Sequence, residues 1–329
     1  SESKQSKQNE SKQKNQITKL LFQNLIQFYD TIYKIVNEIF HNDVEFIQSF
    51  SNAFGNICNE NNHKYTLTQL LPIYCDKILK KGSKLNDYEL TEQLSSSFRL
   101  FVCLIDKDMF IEYYRDLLSQ RLLTKKFLSI DFEKTFISFL KQQCGSTFTT
   151  KLEGMINDFI TSEDSVCEFN DIFKEYDVNV VYEPLLLTMS NWPSQQNRNV
   201  TLPPILNDIQ QCFTDWYVTK HNNSRKLSFM HHLGEITIQS IFGTKKYDFI
   251  MTPIQAIILL FFNNNVEMSV ENIIINMNMQ ADEDIVKRLI HSLISQPKMK
   301  LLKKEPSEMP IRRTDMISIN TEFTAKIRK

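Results

Sequence analysis

Few residues in this chain have the chemistry of a nucleophile or a base. The best-placed thiols are Cys144 and Cys212, and the best-placed bases are His221, His231 and His232. Such a set would suggest a Cys–His hydrolase. Cys144, however, stands just before Gly145 at the end of a helical pattern, where the helix dipole raises a thiol pKa. Neither cysteine has a Gly-rich turn beside it to form an oxyanion hole. The other thiols, Cys58, Cys75, Cys103 and Cys167, are scattered, with no C-x-x-C spacing and no His at a zinc-finger interval. The expectation is reduced, mostly buried thiols in a cytoplasmic or nuclear setting. His231 and His232 are adjacent on an expected strand, so they point to opposite faces and cannot chelate one metal together. Tyr217, Arg225 and Lys226 read as solvated surface. No catalytic residue, cofactor or metal is expected.

The stretch "TTKLEGM" at 149–155 raises the same question in another form. Thr150 and Glu153 fit the T-x-x-E capping box, in which the two side chains satisfy each other's backbone N–H groups at a helix start. The expectation is a structural helix start there, placing Leu152, Met155, Ile156 and Phe159 inside.

The elements that would position these residues are mostly helical. The 329 residues hold 42% hydrophobic residues but only 6 Gly and 9 Pro, which favours long helices over many short strands. The net charge of -1 demands neither nucleic acid nor a membrane surface. The longest apolar run, "IQAIILLFF", is broken by Gln255 and falls short of the roughly 20 residues that span a bilayer. The N-terminal residues are polar and do not read as a signal peptide.

Residues 1–15 are a polar repeat without an apolar side chain and are expected to be disordered. From Ile17, apolar residues recur at helical steps, with Leu20, Leu21, Leu25, Phe28, Ile32, Ile35, Val36 and Ile39 forming one broad face. Helices are expected around 43–58, 66–80, 87–105, through "DKDMFIEYYRDLLSQRLL", at 131–143 and from 150, with Gly145 ending one of them. In "DKDMFIEYYRDLLSQRLL", Phe110, Tyr113, Tyr114, Leu117, Leu118 and Leu122 face inward, while Glu112, Arg115, Asp116 and Ser119 face outward. After "NWP" and "TLPPI" comes a helix at 205–221. Strands are then expected at 226–232, 235–242, 247–252 and 317–323, with "KLLKK" as a further strand. Thr252-Pro253 opens a helix, and helices at 269–277 and 282–295 follow. Three helices and a β-ribbon make the winged-helix pattern. As a DNA reader it would be poor, because its candidate recognition helix starts with Asp282, Glu283 and Asp284, and Lys287 and Arg288 are too few to offset them.

Five motifs occur in order: "DKDMFIEYYRDLLSQRLL", "CGSTFTTKLEGM", "NWP", "FTDWYVTKHNNSRKLSFMHHLGE" and "TPIQAIILLFFN". Together, over about residues 20–329, they resemble the cullin homology region of the cullins, scaffolds of cullin-RING ubiquitin ligases. The resemblance implies a mainly α fold: the end of a helical repeat (16–82), a four-helix bundle (83–190) and a small α/β subdomain (191–329) with an embedded winged helix at about 252–323. The order of elements read from the residues agrees. The resemblance also implies a non-catalytic scaffold that binds a RING-box subunit by β-augmentation and, through it, a ubiquitin-loaded E2 conjugating enzyme. A cullin-exchange regulator is a further possible partner; DNA and membrane are not expected. The family's adaptor-binding stalk and its modified winged helix are expected to lie outside these residues. Alternatives are a short cullin-like protein that sequesters RING subunits and, less favoured, a DNA-binding winged-helix protein.

The expected RING-facing residues are Leu227, Phe229, Ile236, Ile238, Ile241 and Phe249. In "EITIQSIF" both faces carry apolar groups, so that strand is expected to be covered on both sides. A basic surface facing the E2 would use Arg115, Arg121, Lys125 and Lys126, although Arg115 and Arg121 do not share a helical stripe.

Overall fold

The computed structural model describes residues 2–41, 43–60, 66–82, 85–173, 180–194, 200–296 and 300–324, with side chains described from residue 20 to 171 and from 180 onward within those spans. The chain forms two compact units, one of residues 1–168 and 183–194, the other of 169–182 and 195–329.

The first unit is helical: α1 (Glu2–Glu38), α2 (Val44–Asn59), α3 (Leu67–Leu79), α4 (Asp87–Val102), α5 (Lys107–Leu123), α6 (Ile130–Cys144) and the first part of α7 (Ser146–Phe173). Helix α1 starts at Glu2, although 1–15 was expected to be disordered. Lys, Gln and Glu are good helix formers, and without Gly or Pro the helix propagates outward from its apolar part. The buried stripe of α1 also differs from the expected one. Phe22 and Val36 are buried, whereas Leu20, Leu21, Phe28, Ile35 and Ile39 are exposed. Phe22 is held by Tyr74 of α3, with ring centroids 4.7 Å apart.

The inner faces of α5 and α7 follow the period of the sequence. Phe110, Tyr114, Leu118 and Leu122 are buried, as are Leu152, Met155, Ile156 and Phe159. Ser119, expected outside, is buried, and its hydroxyl donates to Asp116 O. Helix α4 ends at Val102, short of the expected 105, and Val102 and Ile105 are exposed.

Gly145 ends α6 with φ +85, a conformation few side chains adopt. Helix α7 begins at once, so Thr150 and Glu153 lie inside it and form no capping box. Thr150 Oγ1 donates to Ser146 O (2.7 Å), and the buried Thr149 Oγ1 donates to Glu153 Oε1 (2.8 Å). Glu153 also receives Lys141 Nζ at 3.1 Å, tying α7 to α6. The capping boxes stand elsewhere, at Asn86/Glu89 and Thr252/Gln255.

The rest of "TTKLEGM" is explained by the strap 183–194, which lies along α7. A side chain at Gly154 would collide with the Asn191 carboxamide, 2.4 Å from the position of a Cβ. One helical turn further, Asp158 accepts from Thr188 N, Thr188 Oγ1 and Trp192 Nε1, each at 2.8 Å. Ser162 Oγ donates to Leu186 O and accepts from Leu186 N. Gly154, Asp158 and Ser162 are spaced by four and lie on one face of the helix. "TTKLEGM" and "NWP" are therefore two halves of one contact.

The second unit contains α8 (Pro204–Lys220), a hairpin of β1 (Ile236–Phe242) and β2 (Lys245–Met251), and a winged helix. The winged helix runs α9 (Pro253–Leu260), β3 (Glu267–Ser269), α10 (Val270–Asn276), α11 (Glu283–Ser295), β4 (Leu302–Glu305) and β5 (Met316–Ile319), with strand order β3-β5-β4. The sequence reading misses β3, which has only three residues. The winged-helix core includes Ile254, Ile257, Val270, Ile273, Val286, Ile290 and Ile317. Lys304 of β4 is buried with Asp315, Nζ to Oδ2 2.7 Å, and Asp315 also accepts Arg312 N at 2.8 Å.

Asp158→Ala should release the strap by removing an acceptor of three hydrogen bonds. We expect a loss of about 2–3 kcal/mol in urea unfolding and faster amide exchange over 185–192. Unchanged exchange there would mean that Asp158 does not hold the strap.

Candidate partner-docking surface

The hairpin joins β1 and β2 through Gly243-Thr244, with Gly243 at φ +61 as a tight two-residue turn requires. Its register places Ile238 opposite Phe249, Ile236 opposite Met251 and Ser240 opposite Tyr247. These residues share the inner face with Phe242. Tyr247, Phe249 and Phe242 close around the buried Phe323 at centroid distances of 5.2–5.5 Å.

The outer face holds Thr237, Gln239, Ile241, Lys246, Asp248 and Ile250. Ile241 is 66% exposed and Ile250 45%, so this face is open, although cover on both sides was expected. Gln239 and Asp248 hydrogen-bond across the strands at 3.2 Å. The sheet has two strands, so among the described residues β1 is paired along only one edge.

The expected RING-facing residues divide accordingly. Phe249 belongs to the core, and Ile236 and Ile238 turn inward against it. Ile241 alone of that set is on the open face. Leu227 and Phe229 lie on a segment where a strand was expected at 226–232, but those residues form no ladder. They alternate instead, with Leu227 and Phe229 half-buried and Lys226 and Ser228 exposed. His231 and His232 sit in a turn, which removes the strand argument about their directions. His231 Nε2 hydrogen-bonds Gln210 Oε1 at 2.8 Å. Burial, then the neighbouring His232, pushes the His231 pKa down. Ile250 was missed, although the alternation in "KYDFIM" places it on the same face as Ile241, towards the other end of the hairpin.

The basic surface needs a larger correction. Arg121 is not on the surface: its side chain is 1% exposed. Nε and Nη2 form a fork on Glu133 of α6 at 2.8 and 2.9 Å, and Nη1 reaches Asp76 of α3 at 2.7 Å. Tyr114 O–H donates to Glu133 Oε2 at 2.9 Å. Burial and the Glu133 charge push the Tyr114 phenol well up. Arg121 is one turn beyond Leu118, on the inner stripe of α5, so its position carried the signal. Arg115 is half-buried.

Lys125 and Lys126 are exposed, and Lys125 Nζ pairs with Glu183 at 2.9 Å. They have neighbours the sequence did not suggest. The turn after α5 runs against the turn after α3 through the Lys80–Phe127 bridge, and Lys81 N donates to Lys126 O at 2.8 Å. Lys80 and Lys81 therefore join Lys125 and Lys126 on one rim.

The hydrolase candidates fall in both units. Cys144 is in the first unit; Cys212 and the three histidines are in the second. Burial raises the Cys144 pKa. Among the described residues no His/Cys/Asp/Glu group could hold a metal ion, and no helix is long and apolar enough to cross a membrane. At the start of α11, Glu283 is engaged by Lys287 and by Arg313 of the wing.

Comparison with known proteins settles the lineage. The profile of the cullin alpha solenoid domain matches residues 1–166 and that of the cullin alpha+beta domain matches 186–323. The chain belongs to the cullin family. It is 34% identical over 310 residues to Cullin-1 of Oryza sativa subsp. japonica, covering 93% of this chain and 41% of the relative. It is 32% identical to Cullin-2 of Arabidopsis thaliana, with 94% and 42% covered. To Cullin-4A of Mus musculus it is 30% identical, with 93% and 40% covered. The chain thus spans about two-fifths of the length of these cullins. The cullin helical region and small α/β subdomain correspond to the helices and small antiparallel sheets described above.

Two outcomes follow from the charged groups. Arg121→Ala leaves Glu133 buried without its cation and should cost about 3–5 kcal/mol in unfolding of the helical unit; a near-neutral effect would contradict the buried geometry. Hydrogen bonds from Arg313 and Lys287 lower the Glu283 pKa from 4.5 to about 2. The stability it contributes is therefore present above the unfolded pKa and lost as pH falls through the folded one. Between about pH 5 and pH 2, wild type should lose more stability than Glu283→Gln, and parallel losses would show that the pair contributes nothing.

Proposed function

We propose that this chain acts as a non-catalytic scaffold of a cullin-RING ubiquitin ligase. A RING-box subunit adds a strand to the hairpin and holds a ubiquitin-loaded E2 in place for ubiquitin-dependent protein degradation. The observation that carries the reading is the half-finished sheet. β1 has a ladder on one edge, and next to it lies a face with Ile241 and Ile250 exposed. Unpaired N–H and C=O groups of an edge strand supply affinity, and alternate side chains supply specificity. The scaffold contributes effective concentration instead of chemistry. A cytoplasmic or nuclear location, and exchange by a regulator, belong to the same proposal.

The rim of Lys80, Lys81, Lys125 and Lys126 is the corrected candidate for an E2-facing basic surface, without Arg121. The acidic start of α11, with Glu283 already holding the wing's Arg313, speaks against phosphate contacts and so against the DNA-binding alternative.

Calorimetric titration with a purified RING-box protein should show tight binding. Ile241→Asp should weaken it by about tenfold or more with little change in unfolding, because Ile241 is already exposed; full affinity would move the docking site elsewhere. Ubiquitin-chain synthesis by the chain with activating and conjugating enzymes, but no RING subunit, would overturn the scaffold reading. Reversing Lys125 and Lys126 to Glu should slow E2 association, more so at low salt. An association rate indifferent to both changes would retire the basic rim.

A further inference from the structure

Helix α1 and the residue after it carry an apolar repeat that their own unit covers only in part. Leu21, Leu25, Phe28, Ile32, Ile35 and Ile39 follow at alternating steps of four and three residues, the heptad spacing by which two helices bury a common seam. Ile39 keeps the helical turn, its N–H donating to Ile35 O at 3.0 Å. Leu25 and Ile32 are half-buried; Leu21, Phe28, Ile35 and Ile39 are between 38% and 64% exposed. Helix α2 lies beside this strip, with Phe54 6.4 Å from Phe28 and Phe50 5.1 Å from Tyr29 between ring centroids. Its Gly55 and Asn59 face Cys103 at the end of α4. Phe46 and Ile57, on the opposite side of α2, are 47% and 50% exposed and continue the open face. From Leu21 to Ile39 the strip is about 27 Å long, at 1.5 Å per residue, and one side chain wide. That shape fits another helix.

We propose that this face joins two copies of the chain, with α1 of each lying antiparallel on α1 of the other, so that two α1–α2 hairpins form a four-helix bundle. The residues of the strip select a second copy. Their steps read the same from either end, so a two-fold axis at the level of Asp30 matches all of them. It sets Leu21 against the partner's Ile39, Leu25 against the partner's Ile35 and Phe28 against the partner's Ile32. No apolar residue of the strip is left without a counterpart.

The charges agree with that arrangement. The only charged residues from 21 to 39 are Asp30, Lys34 and Glu38. Asp30 points back into its own unit, where it pairs with Arg99 at 2.5 Å. The edge of the seam away from α2 is formed by Asn24, Thr31 and Glu38, each one residue before a seam residue. Across an antiparallel pair such edge residues meet one another. With the axis at Asp30, Thr31 meets the partner's Thr31, and Glu38 accepts from the carboxamide of the partner's Asn24. No like charges come together. In a parallel pair the same edge would face Phe22, Tyr29 and Val36 of the other helix. Phe22 and Val36 are already buried in their own unit, so the parallel arrangement offers Glu38 no polar counterpart.

The test is sedimentation velocity of the whole 329-residue chain over a range of concentrations, with a urea unfolding curve of each variant as the check on folding. The expected wild-type species has twice the 38.8 kDa mass of the single chain. Ile39→Asp, at the most exposed position of the seam, should raise the dimer dissociation constant about tenfold or more without moving the unfolding curve. Asn24→Lys should tighten the dimer by setting a cation against each partner's Glu38, and Asn24→Glu should loosen it. Asn24 and Glu38 are exposed in the single chain, so neither change disturbs its core. Ile241→Asp, on the open hairpin face of the second unit, should leave the dimer intact, which separates this surface from the one proposed for the RING subunit. A monomer at every concentration would overturn the proposal and leave the face to a helix of different sequence. So would a dimer indifferent to Ile39→Asp, a dimer lost in Ile241→Asp, or equal effects of the two Asn24 variants.

Discussion

The helical unit depends on one cation without access to water. Arg121 is neutralised only if α3 brings Asp76, α6 brings Glu133 and α5 keeps its own Tyr114 against the guanidinium, 5.3 Å from the ring centroid. A buried charge with all its partners contributes little net stability over an apolar core, but losing one partner is very costly. The network therefore acts chiefly as a constraint on helix position. Three helices have to meet in one arrangement, and the lysine rim is set by the same arrangement. The turns that carry Lys80 and Lys126 follow α3 and α5 directly and bond to each other.

The second unit uses its side chains in a complementary way. Aromatic residues from β1, β2 and Phe323 finish one face of the hairpin, and nothing among the described residues finishes the other. The same strand thus holds Ile238 in a core and displays Ile241. The two faces are thus separable, since residues of the open face can vary without disturbing those that hold the strand. The strap on α7 has a similar logic in the first unit: a Gly, an Asp and a Ser at four-residue steps dock a stretch that has no regular structure of its own.

Much of this was legible in the sequence, and the failures have physical causes. Inner faces such as Tyr114–Leu118–Leu122 and Leu152–Met155–Ile156 follow from helical period alone, and Gly145 and Pro253 mark the end of α6 and the start of α9. Arg121 was misread because a positive charge was taken as a sign of exposure. Its place on the stripe of Leu118 and Leu122 said otherwise, but its partners Asp76 and Glu133 are far off in sequence. Thr150 and Glu153 matched a capping motif by spacing, yet Gly145 lets α7 start at Ser146. The segment at 226–232 has strand-like alternation, but a strand also needs a neighbour, which no local pattern supplies.

The buried Lys304–Asp315 pair helps to fix the register of the wing. In β4, Leu302 and Lys304 point inward while Lys303 and Glu305 point to solvent. A ribbon with one buried apolar face already resists a one-residue slip, and a buried ion pair adds to that resistance. Here a one-residue slip would expel Leu302 and Lys304 and turn Lys303 and Glu305 inward. Asp315 would lose Lys304, and a slip in one direction would set Glu305 in its place. A lysine in the middle of a short strand, which at first sight weakens the wing, helps to deny it the wrong pairing.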